Sequence, residues 1–302
     1  MTELRFDDRV AVITGGGRGL GAAYARLLAE KGCKVVVNDL GAPIKGDGLD
    51  VGVAQQLVDE IKAAGGEAVA DTNSVATPEG AQAIVQTALD TYGKVDILIH
   101  NAGNVRYGTI RELSFEDFQS VIDVHLMGAF YMVKAVHPLM CDAGYGRIVL
   151  TSSIGGIYGN NRCVNYGISK SGMIGLNNVA ALEGEEFDVK SNVIVPSAVT
   201  RMAEGLDVSQ YPPMEPELVS PTVAWLAHER CDVSGEMIAA IGGRIARTFI
   251  AETRGVYQPS WTIEEVDQAM TQVHDKSDVQ DFGLHGHVGH IVYSFDMARK
   301  GG

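Results

Sequence analysis

Tyr166 and Lys170 stand four residues apart in Tyr166-Gly-Ile-Ser-Lys170, a spacing that puts both side chains on one face of a helix. A phenol with its ordinary pKa near 10 is a poor base at neutral pH. A lysine ammonium nearby favours the phenolate and so makes the tyrosine a usable proton acceptor. Ser153 closes a short strand thirteen residues earlier, where its hydroxyl could hold a carbonyl or alcohol oxygen beside the tyrosine. These three residues together suit the interconversion of an alcohol and a ketone. Tyr-x-x-x-Lys alone carries little weight, because a surface tyrosine beside a solvated lysine is common.

That chemistry needs a hydride carrier, and the N-terminus offers a place for one. Thr14-Gly15-Gly16-Gly17-Arg18-Gly19-Leu20-Gly21 follows a short apolar strand and opens a helix. A glycine-rich turn there lets the backbone approach a pyrophosphate, and the helix N-terminus supplies free N–H groups and a positive dipole end. Thr14, Gly15, Arg18, Gly19 and Leu20 are therefore candidate cofactor contacts. Asp39 ends the second strand about 20 residues past the glycines, where a carboxylate binds adenine-ribose hydroxyls and repels a 2′-phosphate. NAD is expected over NADP, with Arg18 as the counter-signal and an ordinary turn aspartate as the plainer alternative.

The elements that must position these groups are legible in the apolar runs. Val10–Ile13, Lys34–Val37, Ala68–Ala70, Val95–Ile99, Arg147–Leu150, Asn192–Val195 and Met237–Ile241 read as seven short strands. They alternate with helical stretches, among them Val53–Ala64, Pro78–Tyr92, a long apolar helix Phe115–Met140, and Cys163–Phe187. Such alternation indicates an α/β fold, a Rossmann-type doubly wound parallel sheet covered on both faces. Residues 1–243 are expected to form one dinucleotide-binding and catalytic domain, with 244–302 a C-terminal extension packed on it. The extension carries one amphipathic segment, Thr262–His274, and then a Gly/His/Asp-rich stretch.

Composition narrows the function. In 302 residues, 46% are hydrophobic and 21% charged, ordinary for a globular chain. A net charge of −14 argues against nucleic acid or an anionic membrane as partner. No apolar run approaches the ~20 residues that span a bilayer. The four cysteines, Cys33, Cys141, Cys163 and Cys231, form no CxxC pair and read as reduced thiols, so a cytoplasmic protein is expected.

In combination these motifs resemble the short-chain dehydrogenase/reductase family over roughly residues 7–243. Thr14-Gly15-x-x-x-Gly19-x-Gly21 is similar to its cofactor turn, Asn101-Ala102-Gly103 to its Asn-Ala-Gly motif, and Ser153 with Tyr166-x-x-x-Lys170 to its catalytic signature. The resemblance implies that Tyr166 is the general acid/base, that Lys170 lowers its pKa and binds the nicotinamide ribose, and that Ser153 positions the reacting oxygen. It places Asn101, Ala102 and Gly103 beside the cofactor, Ser74 and Val75 near the adenine, and Val199 and Thr200 over the nicotinamide, with Thr200 as carboxamide partner. Three positions depart from the pattern. His100 replaces the first asparagine of Asn-Asn-Ala-Gly, Ser197 follows Pro196 where glycine is usual, and His125 stands where the family has a catalytic asparagine. A histidine donates and accepts hydrogen bonds, so His125 could carry a similar proton relay or could only pack.

Val36–Gly41, Val124-His125-Leu126, Gly156–Asn160, Arg201-Met202 and the tail around Trp261, together with the loop Gly41–Leu49, are similar to a narrower group. That group is the (3R)-hydroxyacyl-CoA dehydrogenase unit of type 2 multifunctional β-oxidation enzymes, in which a histidine at position 125 is the usual residue. This resemblance implies an NAD-dependent oxidation of a secondary alcohol, on a 3-hydroxyacyl-CoA first and on a hydroxysteroid or other lipophilic alcohol second. Arg106, Arg201, Arg244 and Arg247 could meet CoA phosphates or serve as surface ion-pair partners. A catalytically silent dinucleotide sensor is the competing class, and retention of both Tyr166 and Lys170 weighs against it. No metal is expected, although His285-Gly-His287-Val-Gly-His290 has spacing that zinc could use. The apolar excess of Phe115–Met140 and Cys163–Phe187 suggests a homodimer or homotetramer.

Overall fold

A computed structural model describes residues 2–41, 52–199 and 212–300. Strand β1 (Val10–Thr14), helix α1 (Gly19–Glu30), β2 (Lys34–Asn38), α2 (Gly52–Ala63), β3 (Glu67–Asp71) and α3 (Pro78–Tyr92) form the first half. The second half runs through β4 (Ile97–His100), α4 (Phe115–Ile122), α5 (Gly128–Ala143), β5 (Gly146–Thr151), the short α6 (Ile154–Ile157), α7 (Val164–Gly184), β6 (Val189–Ser197), α8 (Ser220–Ala227), β7 (Met237–Ile241) and β8 (Arg244–Thr248). The sheet order is β3-β2-β1-β4-β5-β6-β7-β8, and the strands from β3 to β7 pair in parallel.

Strand periodicity sends alternate residues to opposite faces, so a sheet covered on both sides must be apolar throughout. In β1, Ala11 and Ile13 join the core under α1, α2 and α8, while Val10 and Val12 join the core under α3, α5 and α7. The order reverses between β1 and β4, where their carboxyl ends leave the crevice in which such sheets bind ligands. Thr14, His100 and Thr151 all end strands there, with Ser153 two residues beyond β5.

The sheet has eight strands, not the expected seven. Arg244-Ile-Ala-Arg-Thr248 follows β7 after only Gly242-Gly243, a link too short for anything but an antiparallel return. Its two arginines and alternating exposure made it read as surface, which is how an edge strand is protected from further pairing. The long helix expected over Phe115–Met140 is also modified. It runs from Phe115 to Ala143 through a π-turn at Asp123–Met127, and His125 lies inside that turn. An inserted π-turn redirects side chains at that point, and it marks functional segments more often than plain helix does.

The chain divides into two compact units, residues 1–247 and 248–302. The second unit pairs β9 (Glu252–Thr253) with β10 (Val279–Gln280) and holds α9 (Ile263–Val273) and α10 (Gly286–Lys300). Thr262 and Glu265 cap α9 reciprocally. The stretch read as a Gly/His/Asp-rich tail contains α10, whose Gly286 and Gly289 obscure its helical period. Its His290 faces the Glu252 carboxylate at 3.1 Å and the ring of Phe282. Among the described residues no group of His, Cys, Asp and Glu has the geometry to hold a metal ion.

Candidate active site

The glycine turn sits between β1 and α1, with Gly15 and Gly19 at positive φ values of 59° and 53° that other residues adopt poorly. No side chain caps α1: Arg18 occupies the N-cap in extended conformation without a capping hydrogen bond. Among the described residues the N-cap side chain thus leaves the first-turn N–H groups of α1 open, which fits an anion such as a pyrophosphate. Asp39 follows β2 and reaches back to the turn, its carboxylate accepting from Gly17 N at 2.9 Å and Gly41 N at 2.8 Å. The acidic group therefore stands against the turn, as recognition of a ribose diol requires. Asn101 is bound in as well, donating from Nδ2 to Gly15 O at 3.0 Å.

Beyond β3, a carboxylate that sequence reasoning passed over organises the loop. Asp71 accepts from Asn38 Nδ2 (2.7 Å), Asn73 N (2.9 Å), Asn73 Nδ2 (2.8 Å) and Thr87 Oγ1 (2.7 Å). Its signal was available: an aspartate and an asparagine at the ends of two otherwise apolar strands. This network fixes the start of the loop carrying Ser74 and Val75. Val75 is buried in the core beside α3 and α5, and Ser74 Oγ accepts from Ala76 N at 3.2 Å. Val199 lies just past β6, with its N–H donated to Met214 O at 2.7 Å. Thr200, Arg201, Met202 and the loop 42–49 lie outside the described residues.

Ser153, Tyr166 and Lys170 meet at the carboxyl end of β5. Ser153 is the N-cap of α6 and accepts from Gly155 N at 3.1 Å. Lys170 is buried on α7, and Nζ donates to Thr151 O at 2.7 Å, 5.7 Å from the centre of the Tyr166 ring. Ser152 Oγ clamps the main chain there by donating to Lys170 O at 2.7 Å. Burial pushes the Lys170 amine down to about 7. Burial also raises the Tyr166 phenol, and the hydrogen bond from Ser153 offsets part of that rise. This departs from the expected depression of the phenol. Burial thus favours the neutral phenol, in which Tyr166 is a hydrogen-bond donor.

His125 is buried and packs edge-on against Tyr166, with ring centres 5.4 Å apart. Its Nε2 lies 2.8 Å from Asn104 O and 3.1 Å from Asn104 N, while Nδ1 has no hydrogen-bond partner among the described residues. Burial, then the Lys170 charge, hold the imidazole well below the ordinary histidine range. Gly103 is required by this approach, since a Cβ there would collide with the His125 ring. His100, at the end of β4, is equally buried, and burial followed by the Lys170 charge depresses it to about 3.

A cavity of about 880 Å³ adjoins the triad, with Ile110, Arg111, Tyr158, Arg162 and Ile168 in its wall. Gly155, Cys163 and Gly167 also line it, whereas Ser153 and Tyr166 are not part of the lining. Of the arginines considered for phosphate contact, Arg106 pairs with Asp117 at 3.0 Å and Arg247 with Glu236 at 3.3 Å. Arg244 is exposed on β8.

Known proteins resemble this chain in sequence and fold. Residues 9–208 match the model of the short chain dehydrogenase family. The peroxisomal multifunctional enzyme type 2 of Drosophila melanogaster is 44% identical over 99% of this chain, which spans 51% of that protein. Its full-length structure superposes with a TM-score of 0.81, at 38% identity over 97% of this chain and 50% of that one. The peroxisomal hydratase-dehydrogenase-epimerase of Saccharomyces cerevisiae is 41% identical over 80% of this chain and 27% of its own length. A short chain dehydrogenase from Mycobacterium avium has a TM-score of 0.77 and 38% identity, covering 88% of this chain and 94% of that one. The chain thus spans about half the length of the Drosophila relative or less of the yeast one, and nearly all of the mycobacterial one. With the match extending across the glycine turn, Ser153, Tyr166 and Lys170, the chain belongs to the short-chain dehydrogenase family and is an oxidoreductase acting on CH–OH groups.

Proposed function

We propose that the chain oxidises the hydroxyl of a 3-hydroxyacyl-CoA to the ketone with NAD. The observation that carries the substrate is the likeness, across nearly the whole chain, to a peroxisomal multifunctional enzyme type 2, supported by the yeast hydratase-dehydrogenase-epimerase. The choice of NAD rests on Asp39, whose carboxylate faces the glycine turn and would repel a 2′-phosphate. The uncapped N-terminus of α1 would hold the pyrophosphate, and Lys170 the nicotinamide ribose.

When bound, NAD supplies the acceptor for the hydride that leaves the carbinol carbon. The chain handles the proton. Ser153 donates to the substrate oxygen and keeps it beside Tyr166. Tyr166, as phenolate, takes the hydroxyl proton while the C–O bond becomes a carbonyl. Because burial raises the phenol, alcohol oxidation is favoured at alkaline pH and ketone reduction at lower pH, where the phenol is the donor. Lys170 stabilises the phenolate when charged, and His125 stands within reach to orient the ring.

Helices α5 and α7 leave Phe130, Leu139, Val179 and Leu182 exposed, which supports a homodimer or homotetramer through that face. Among the described residues no helix is long and apolar enough to cross a membrane. The peroxisomal names of the relatives stand against the cytoplasmic expectation, and fractionation of native cells decides between them.

Purified full-length protein, offered NAD or NADP with a 3-hydroxyacyl-CoA or a hydroxysteroid, tests the reading. Turnover of the acyl-CoA with NAD is expected. Turnover of the steroid alone, or a requirement for NADP, overturns the corresponding half.

A further inference from the structure

His100 stands where this family usually has asparagine, and the hydrogen bonds around it determine which of its nitrogens carries the proton. Thr14 Oγ1 accepts from Asn101 N at 3.1 Å and from Ala102 N at 3.2 Å. A hydroxyl has two lone pairs and one proton, so with both lone pairs engaged Thr14 can only donate. The acceptor it meets is His100 Nδ1, 3.1 Å away. Nδ1 must therefore offer its lone pair, and in the neutral ring the proton sits on Nε2. That N–H is buried, with the residue 1% exposed, and has no partner in hydrogen-bond geometry among the described residues.

The groups around Nε2 point to what it serves. Strand β4 pairs His100 with Leu150 of β5, one residue before Thr151, whose carbonyl takes the Lys170 amine. Further polar atoms bear on this end of the sheet. Lys170 Nζ donates to Thr151 O at 2.7 Å, Thr151 Oγ1 is buried without a partner, and so is His125 Nδ1. A buried donor with no partner costs ~1–3 kcal/mol, so a cluster of unpaired polar atoms is retained at a place of function more readily than in plain core.

We propose that His100 is a positioning residue of the proton path: locked by Thr14 as the Nε2–H tautomer, it holds a buried donor at the strand end that anchors Lys170. In that tautomer His100 offers Lys170 no lone pair and cannot drain its proton. It also ties the end of β1, through Thr14, to the end of β4. Asparagine supplies a similar donor at this position but could present it in either amide orientation, whereas the histidine is held in one by its second nitrogen.

The inference rests on Tyr166 and Lys170 carrying the proton, so Tyr166→Phe is measured first; if that variant keeps its turnover, the reading of the site fails before His100 is judged. The tautomer is tested on the unaltered full chain with 15N-labelled histidine. The expected NMR pattern for His100 is a protonated Nε2 and a bare Nδ1 at neutral pH, and a protonated Nδ1 overturns the proposal. Function is tested with His100→Asn and His100→Leu. The leucine variant is expected to lose about tenfold in kcat, the size of one buried hydrogen bond, and to shift the pH profile of kcat. Its KM for NAD should stay within about twofold, and His100→Asn should recover most of the rate. An unchanged pH profile, or a loss of NAD affinity as large as the loss in kcat, assigns His100 a purely structural role and sinks the idea. If His100→Leu does not fold, the asparagine variant and the tautomer measurement still decide.

Discussion

The two sides of the crevice are built differently. On the cofactor side, polar groups are matched: both oxygens of Asp39 accept main-chain N–H groups, Asn101 is tied to Gly15, and Asp71 accepts from three residues. On the proton side, His100 Nε2, His125 Nδ1 and Thr151 Oγ1 are buried without partners among the described residues, and Lys170 is buried with its amine pushed down to about 7. The first region is a preorganised cradle whose shape is its purpose. The second keeps polar groups in an apolar setting, where small changes of charge or proton position have large energies.

The contrast can be broken most severely at Tyr166. Tyr166→Phe should lower kcat by about 10³-fold, within the range of a lost general acid/base, while NAD binding measured by fluorescence titration stays near the parent value. Comparable losses in both would show that the two sides are not separable.

Lys170 gives the next largest effect, on stability. Its pKa is about 7 in the folded chain and 10.5 when exposed, so between those values the unfolded chain binds more protons. Stability contributed by this group therefore rises with pH across that window and is lost as pH falls toward 7, at ~1.4 kcal/mol per pH unit. Denaturant unfolding from pH 7 to 10 should show that slope, and Lys170→Met should remove it. His100 and His125 act in the same sense at lower pH. Both are held below the ordinary 6.5, so the folded state loses stability as pH falls below 6.5, for His100 down to about 3.

On the cofactor side the effect should be smaller and confined to binding. Asp39→Ala is expected to raise the KM for NAD about tenfold, narrow the preference over NADP, and leave kcat within about twofold. A fall in kcat as large as that in Tyr166→Phe would erase the division drawn between the two regions.

Much of this was legible in residue order. The β-branched runs marked β1 to β7 because a strand buried on both faces has to be apolar at every position. The glycine turn, Asp39, Ser153, Tyr166 and Lys170 could be read because local spacing decides where each stands on its strand or helix. Strand β8 escaped because an edge strand carries the charges of a surface segment, and α10 because its glycines hide the helical period. Asp71 escaped because its partners Asn38 and Thr87 are distant in sequence.

Sequence by itself determined the fold class, the family resemblance and the candidate triad Ser153, Tyr166 and Lys170, since these depend on periodicity and on spacing within single elements. Only the tertiary structure decided the electrostatics. The depressed Lys170 amine, the raised Tyr166 phenol and the proton on His100 Nε2 depend on which strands end side by side and how deeply they are covered. The π-turn that brings His125 onto Tyr166 belongs to the same class, because it is seen only where Asp123–Met127 packs on α7.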